Sequence, residues 1–173
     1  MQNKFQLNFF YSYMSMTTNL ELENICNKFG INLISCCCKD DLPRQFYYGG
    51  FIVNLANKGD VGTHWCAFYT EKSPKGKPTA VYMDSFGCGP PMAVQKYLNC
   101  CIPYTCNDND IQNIESGWCG WYAVTFLEFM QNNKRNIPDI NKRFKAFLYK
   151  FKQRDAEANL TILKNRIERI KNI

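Results

Sequence analysis

The sequence predicts an α+β fold: a small, mostly antiparallel central sheet packed on a buried helix that carries a cysteine, with peripheral helices at both ends. Three observations predict it. Three strand-like runs, Phe51 to Ala56, His64 to Thr70 and Thr79 to Ser85, follow one another closely, and the last two are joined by a loop rich in Pro, Gly and Lys. Trp118 to Met130 is apolar at nearly every position, with only Thr125 and Glu128 polar, the mark of a helix buried all round. Amphipathic helical spacing flanks this centre on both sides.

Taken in order, Thr18-Asn19-Leu20-Glu21 is a capping box, and Leu22, Ile25, Cys26 and Phe29 follow at helical spacing before Gly30, so a helix is expected from about Asn19 to Phe29. Asp40-Asp41-Leu42-Pro43 and Tyr48-Gly49-Gly50 read as loop and turn. Phe86-Gly87-Cys88-Gly89-Pro90-Pro91 ends the third strand, and Met92 to Leu98 reads as a short helix started after the prolines. Asn99 to Gly117 is polar and irregular. Beyond Pro138, one helix is marked by Ile140, Phe144, Phe147, Leu148 and Phe151, another by Leu160, Leu163, Ile167 and Ile170.

Length and composition set bounds on this picture. At 173 residues, 46% hydrophobic and 21% charged, the chain is expected to be one domain over 1–173 with a real core, and 1–17 is expected to be poorly ordered. The aromatic but interrupted start reads as neither signal peptide nor membrane span, which points to a soluble protein of a reducing compartment and to no membrane partner. Ten cysteines in a chain of this size are then expected to be mostly buried free thiols. A zinc set of Cys36, Cys38, Cys101 and Cys106 is conceivable but lacks any Cys-x-x-Cys pair, so no metal is assigned. The net charge of +6 resides in the C-terminal quarter, where residues 131–173 hold twelve Lys or Arg against four Asp or Glu. The segment 134–173 is therefore a basic helical one. Its bland reading is a solvated helix face, its functional one a surface for DNA.

Only one histidine, His64, exists to do imidazole chemistry near neutral pH. A thiol nucleophile needs its thiolate, which a helix N-terminus or a neighbouring imidazolium favours, and Cys119 stands at the expected start of the buried helix. Gly117 and Gly120 flank it and leave room for a tight turn and a close substrate approach. Gln112, in the polar loop upstream, is a candidate side-chain donor to an oxyanion alongside the Cys119 backbone N–H. Asp84 ends the strand expected to pair beside that of His64 and can fix the imidazole tautomer.

The order His, Asp, Gln, Cys differs from that of papain-like enzymes, in which Cys precedes His. Gly62-Thr63-His64-Trp65, Asp84-Ser85-Phe86-Gly87 and Gln112 with Cys119-Gly120 resemble the motifs of the adenovirus-type and SUMO-protease-like cysteine peptidases (adenain/Ulp-like, clan CE). The resemblance spans most of residues 18 to 130. It looks strongest toward the maturation proteases of virophages and polinton-like viruses. Two departures stand out: the acid is Asp rather than the Glu usual in adenoviruses, and the basic C-terminal segment matches no family motif. By resemblance, Trp65 would cover the substrate near the cut, and the chain would be a thiol endopeptidase that cleaves viral capsid precursors after small residues such as Gly. It would work as a monomer in the virion and the infected-cell cytoplasm. Its chemistry would need no cofactor, while DNA or a peptide activator stays open. An isopeptidase acting on SUMO or ubiquitin conjugates is the alternative enzyme, and a non-catalytic DNA-binding or scaffold protein the alternative of another class.

Overall fold

The computed structural model describes residues 17–171, so the expectation of poor order falls outside the described residues for all but Thr17. The elements are α1 (Asn19–Lys28), β1 (Leu33–Cys38), β2 (Gly49–Asn54), β3 (Trp65–Lys72), β4 (Pro78–Met83), α2 (Met92–Tyr97), a 3₁₀ turn (Leu98–Cys101), β5 (Thr105–Cys106), α3 (Cys119–Asn132), α4 (Ile140–Leu148) and α5 (Ala156–Lys171). The fold is α+β, a five-stranded sheet with helices on both faces.

The strands lie in sequence order, β1-β2-β3-β4-β5. The centre of the sheet, β2-β3-β4, is antiparallel as expected, but both outer pairs, β1 with β2 and β4 with β5, are parallel. The sheet is therefore mixed, antiparallel at its centre and parallel at both edges. The two edge strands are the ones that sequence patterning does not reveal. In β1 a run of three cysteines carries no alternation, and β5 is two residues inside a polar loop, too short to show a period.

Gly49-Gly50 is not a turn. Both residues are buried and open β2, where a Cβ on Gly50 would stand 2.9 Å from Leu127 and one on Gly49 2.7 Å from Ile34. Close packing, not chain reversal, requires glycine there.

Alternation along β2 and β3 divides the interior in two. Phe51, Val53, Cys66 and Phe68 face α2, with Phe51 stacked on Phe68 at 4.4 Å. Ile52, Ala67 and Tyr69 face the larger core made with α1, α3, α4 and α5. As expected, α3 is apolar all round and buried from Gly120 to Met130. At the other end of the chain, α1 starts on the expected capping box: the Glu21 N–H donates to Thr18 Oγ1 at 3.2 Å and the Thr18 N–H to Glu21 Oε2 at 2.8 Å.

The basic segment is not merely a solvated face. Arg143 is fully buried and donates to Glu71 Oε2 at 2.6 Å and to the Ile137 carbonyl at 2.8 Å, tying α4 to β3. Lys134 adds a second cation to Glu71 at 3.4 Å, and Arg166 pairs with Glu128.

The ten cysteines are all unpaired, but only Cys26, Cys36, Cys66 and Cys101 are buried. Four more are half-buried, and Cys88 and Cys100 are exposed. Most are thus not core thiols, because the Cys36–Cys38 run lies on an edge strand. Nor do Cys36, Cys38, Cys101 and Cys106 form a zinc set: β1 and β5 occupy opposite edges of the sheet, and no group of three metal-ligating side chains forms among the described residues. None of the described helices is long and apolar enough to cross a membrane.

Candidate active site

Antiparallel pairing brings the N-terminal end of β3 beside the C-terminal end of β4, with Ala67 opposite Met83. His64 immediately precedes β3, and its carbonyl accepts from the Leu55 N–H at 2.9 Å, which fixes the backbone that carries the ring. Asp84 immediately follows β4. Their side chains meet at 2.8 Å, His64 Nε2 to Asp84 Oδ1, with His64 7% and Asp84 1% exposed.

Asp84 is held on several sides. Its Oδ1 also accepts from the Phe86 N–H at 2.8 Å. The buried amide of Asn107 grips the Asp84 backbone from both ends, accepting from its N–H at 2.9 Å and donating to its carbonyl at 2.6 Å. Gly87 closes the turn with φ +72°, where a Cβ would stand 2.7 Å from the Asn109 carbonyl carbon. That turn lays the Phe86 ring flat on the His64 imidazole, centroids 4.1 Å apart.

Burial of His64 pushes its pKa down, but the hydrogen bonds to Asp84 and Cys119 and the charges of both outweigh it, raising the value from 6.5 to about 9. The direction of this shift favours the imidazolium form. With Nε2 engaged by Asp84, Nδ1 is the nitrogen left for a thiol.

That thiol is Cys119, half-buried and the first residue of α3. The cap residue, Trp118, supplies no side-chain hydrogen bond to the first turn. Backbone N–H groups at the start of this helix are thus available to a negative charge. Elsewhere, burial acts against thiolates: it pushes Cys26, Cys66 and Cys101 up to about 12.

Gln112 is buried and firmly held. Its Oε1 accepts from the Ser85 hydroxyl at 2.7 Å, its Nε2 donates to the Ser116 carbonyl at 2.5 Å, and its backbone N–H donates to the Ser85 carbonyl at 3.1 Å. One hydrogen on Nε2 remains for a further acceptor. Gly117 is half-buried in the turn that leads to Cys119.

Two candidate substrate contacts turn out differently. Gly120 does not face a substrate, because the place of its missing Cβ lies 2.1 Å from Thr17 Oγ1 and 3.0 Å from Leu22 Cδ2. Its smallness serves the packing of α1 against α3. Trp65 is half-buried, and its indole N–H donates to the Thr17 carbonyl at 2.9 Å, so its ring is anchored by the residue that also packs on Gly120.

Sequence reasoning missed Asn107 and Ser85, the clamps on Asp84 and Gln112. Ser85 is adjacent to the candidate acid, which is a usable signal. Asn107 lies in a polar loop where Asn is unremarkable, and only the folded chain shows what it grips.

No protein-family model and no curated protein matches the chain. Among solved structures, the fold is similar to the crystal structure of the ASFV pS273R protease, with a TM-score of 0.50 and 13% identity over 88% of this chain and 66% of that one. A selenomethionine form of the same protease gives a TM-score of 0.46 at 13% identity, over 88% of this chain and 67% of that one. This chain thus spans about two thirds of the length of a viral protease whose fold it shares.

Proposed function

We propose that the chain is a cysteine endopeptidase that cleaves viral capsid or other structural precursors after small residues such as Gly during virion maturation. The observation that carries the reading is the single histidine bonded to a buried carboxylate at 2.8 Å, with Cys119 near enough to the same ring to help raise its pKa. Cys119 is the nucleophile, His64 its acid and base, and Asp84 the group that orients the ring. Gln112 and the Cys119 N–H are the oxyanion donors.

In this reading the Cys119 thiolate attacks the scissile carbonyl carbon, and the carbonyl electron pair moves to oxygen, where the two donors meet it. Collapse of the tetrahedral intermediate breaks the C–N bond, and the His64 imidazolium gives its proton to the departing amine. The neutral ring then takes a proton from water, whose hydroxide attacks the thioester. Collapse releases the carboxylic acid and restores the thiolate–imidazolium pair.

Mass spectrometry of a capsid precursor coexpressed with the wild type or with Cys119→Ala tests this. New termini after Gly in the wild-type sample alone are expected. Identical intact precursor in both samples, with Cys119 no faster to label with iodoacetamide than the exposed Cys88, would overturn it.

A further inference from the structure

A cavity of about 410 Å³ opens between the Gln112 loop and the start of α5, within the range of roughly 300–1,000 Å³ typical of ligand pockets. It adjoins the candidate site directly. Phe86, the ring stacked on His64, and Gln112 both line it.

The opposite wall comes from the basic C-terminal segment, through Arg154 and Ala156. That wall is held in place by Asn159, which is fully buried on α5. Its Nδ2 donates to the Ile111 carbonyl at 3.1 Å and to the Lys152 carbonyl at 2.7 Å, while its Oδ1 accepts from the Lys152 N–H at 2.7 Å. Ile111 is the residue before Gln112, so this one amide fixes the spacing between the two walls. At the corner, Arg154 adopts φ 57°, a left-handed conformation uncommon for a residue with a side chain.

The chemistry of the lining selects the occupant. Ile111, Ile114 and Ala156 join Phe86 in an apolar surface, with Ile114 79% exposed, and the amides of Gln112 and Asn113 complete the neutral part of the lining. Asp110 and Arg154 also line the cavity, and their opposite charges offset each other, which disfavours a charged guest of either sign.

We propose that this cavity is a specificity subsite that receives one large uncharged side chain, aromatic or branched aliphatic, from the segment being cleaved. The inference rests on the peptidase reading and adds to it a second recognition element, distinct from the small residue at the cut. The C-terminal segment thereby acquires a role in substrate selection that does not depend on its charge.

Binding to the Cys119→Ala protein tests the proposal without turnover. Fluorescent hexapeptides centred on Gly-Gly, with Phe, Ala, Lys or Glu placed in turn at each flanking position, are titrated by anisotropy. At one position Phe is expected to bind at least about 10-fold tighter than Ala, with Lys and Glu no tighter than Ala. Ile114→Ala, an exposed change that the fold tolerates, is expected to cut that ratio at least about threefold, and Ala156→Trp to remove it by filling the cavity. Equal binding of all four residues at every position, strongest binding of Lys or Glu, or a Phe preference untouched by Ile114→Ala would overturn the proposal. The coexpression experiment reports separately on catalysis. A protein that selects Phe but cuts nothing keeps the subsite and loses the peptidase, whereas one that cuts with no side-chain preference does the reverse.

Discussion

The two halves of the candidate site are built by different means. The His64–Asp84 half sits just beyond adjoining ends of β3 and β4, where strand pairing brings the two backbones together and a single side chain, Asn107, holds Asp84. The Gln112–Cys119 half joins an irregular loop to a helix start, and side-chain clamps do the positioning: Ser85 on Gln112, Tyr122 and Asn159 on the Ile111 carbonyl. Among the described residues the second half has no strand pairing beneath it, so its side-chain clamps carry the positioning. Ser85 belongs to both, since it follows Asp84 and holds Gln112.

The largest expected effect is on the nucleophile, where Cys119→Ala should lower kcat/KM by on the order of 10⁴-fold or more in the coexpressed precursor or a derived peptide assay. Next comes the sheet-built half. Asp84→Asn removes the negative charge that sustains the imidazolium, so the His64 pKa should fall from about 9 toward its ordinary 6.5. The chain has one histidine, so its Cε1–H resonance in an NMR titration reads this directly. A resonance that titrates alike in both proteins would show that Asp84 does not govern the ring.

The same shift links to stability with a definite sign. A histidine whose folded pKa is raised stabilises the fold fully below the unfolded value of about 6.5, and that contribution fades as pH climbs through about 9. The urea midpoint of the wild type should therefore fall between pH 6.5 and 9 by more than that of His64→Gln. An equal fall in both proteins would remove the link.

The clamp-built half is probed by Ser85→Ala. It strands the buried Gln112 Oε1 without a donor, at a cost of about 1–3 kcal/mol in unfolding free energy. A loss of roughly 10-fold in kcat with little change in KM is expected as the oxyanion donor loosens. Loss of stability without a kcat effect would mean that Gln112 is structural. The smallest effect is expected at the α1 cap, where Thr18→Ala should lower unfolding free energy by about 1 kcal/mol.

The same division explains what could be read from the sequence. His64, Asp84 and Cys119 were legible because each sits at an end of a strongly patterned element, two strands and an all-apolar helix. Strand limits moved by only a residue or two: β3 begins at Trp65 and β4 ends at Met83. Where patterning is weak, the reading failed. Parallel β1 looked like a cysteine block, β5 was too brief to register, and Gly49-Gly50 carried turn chemistry although its actual constraint is the Leu127 side chain arriving from α3. Gly120 was misread for a related reason, since a missing side chain does not say which neighbour needs the space. Asn107 and Asn159 were invisible because their partners are backbone carbonyls and N–H groups brought near only by the tertiary fold.

One contact couples distant parts of the chain more tightly than their separation suggests. A methyl group at position 120 would displace the Thr17 hydroxyl, and Thr17 is also what the Trp65 indole leans on. Bulk added one residue after the nucleophile would therefore be felt at the aromatic neighbour of the histidine, through a residue that belongs to neither. Atom for atom, the cheapest way to unsettle this site is to enlarge its smallest member.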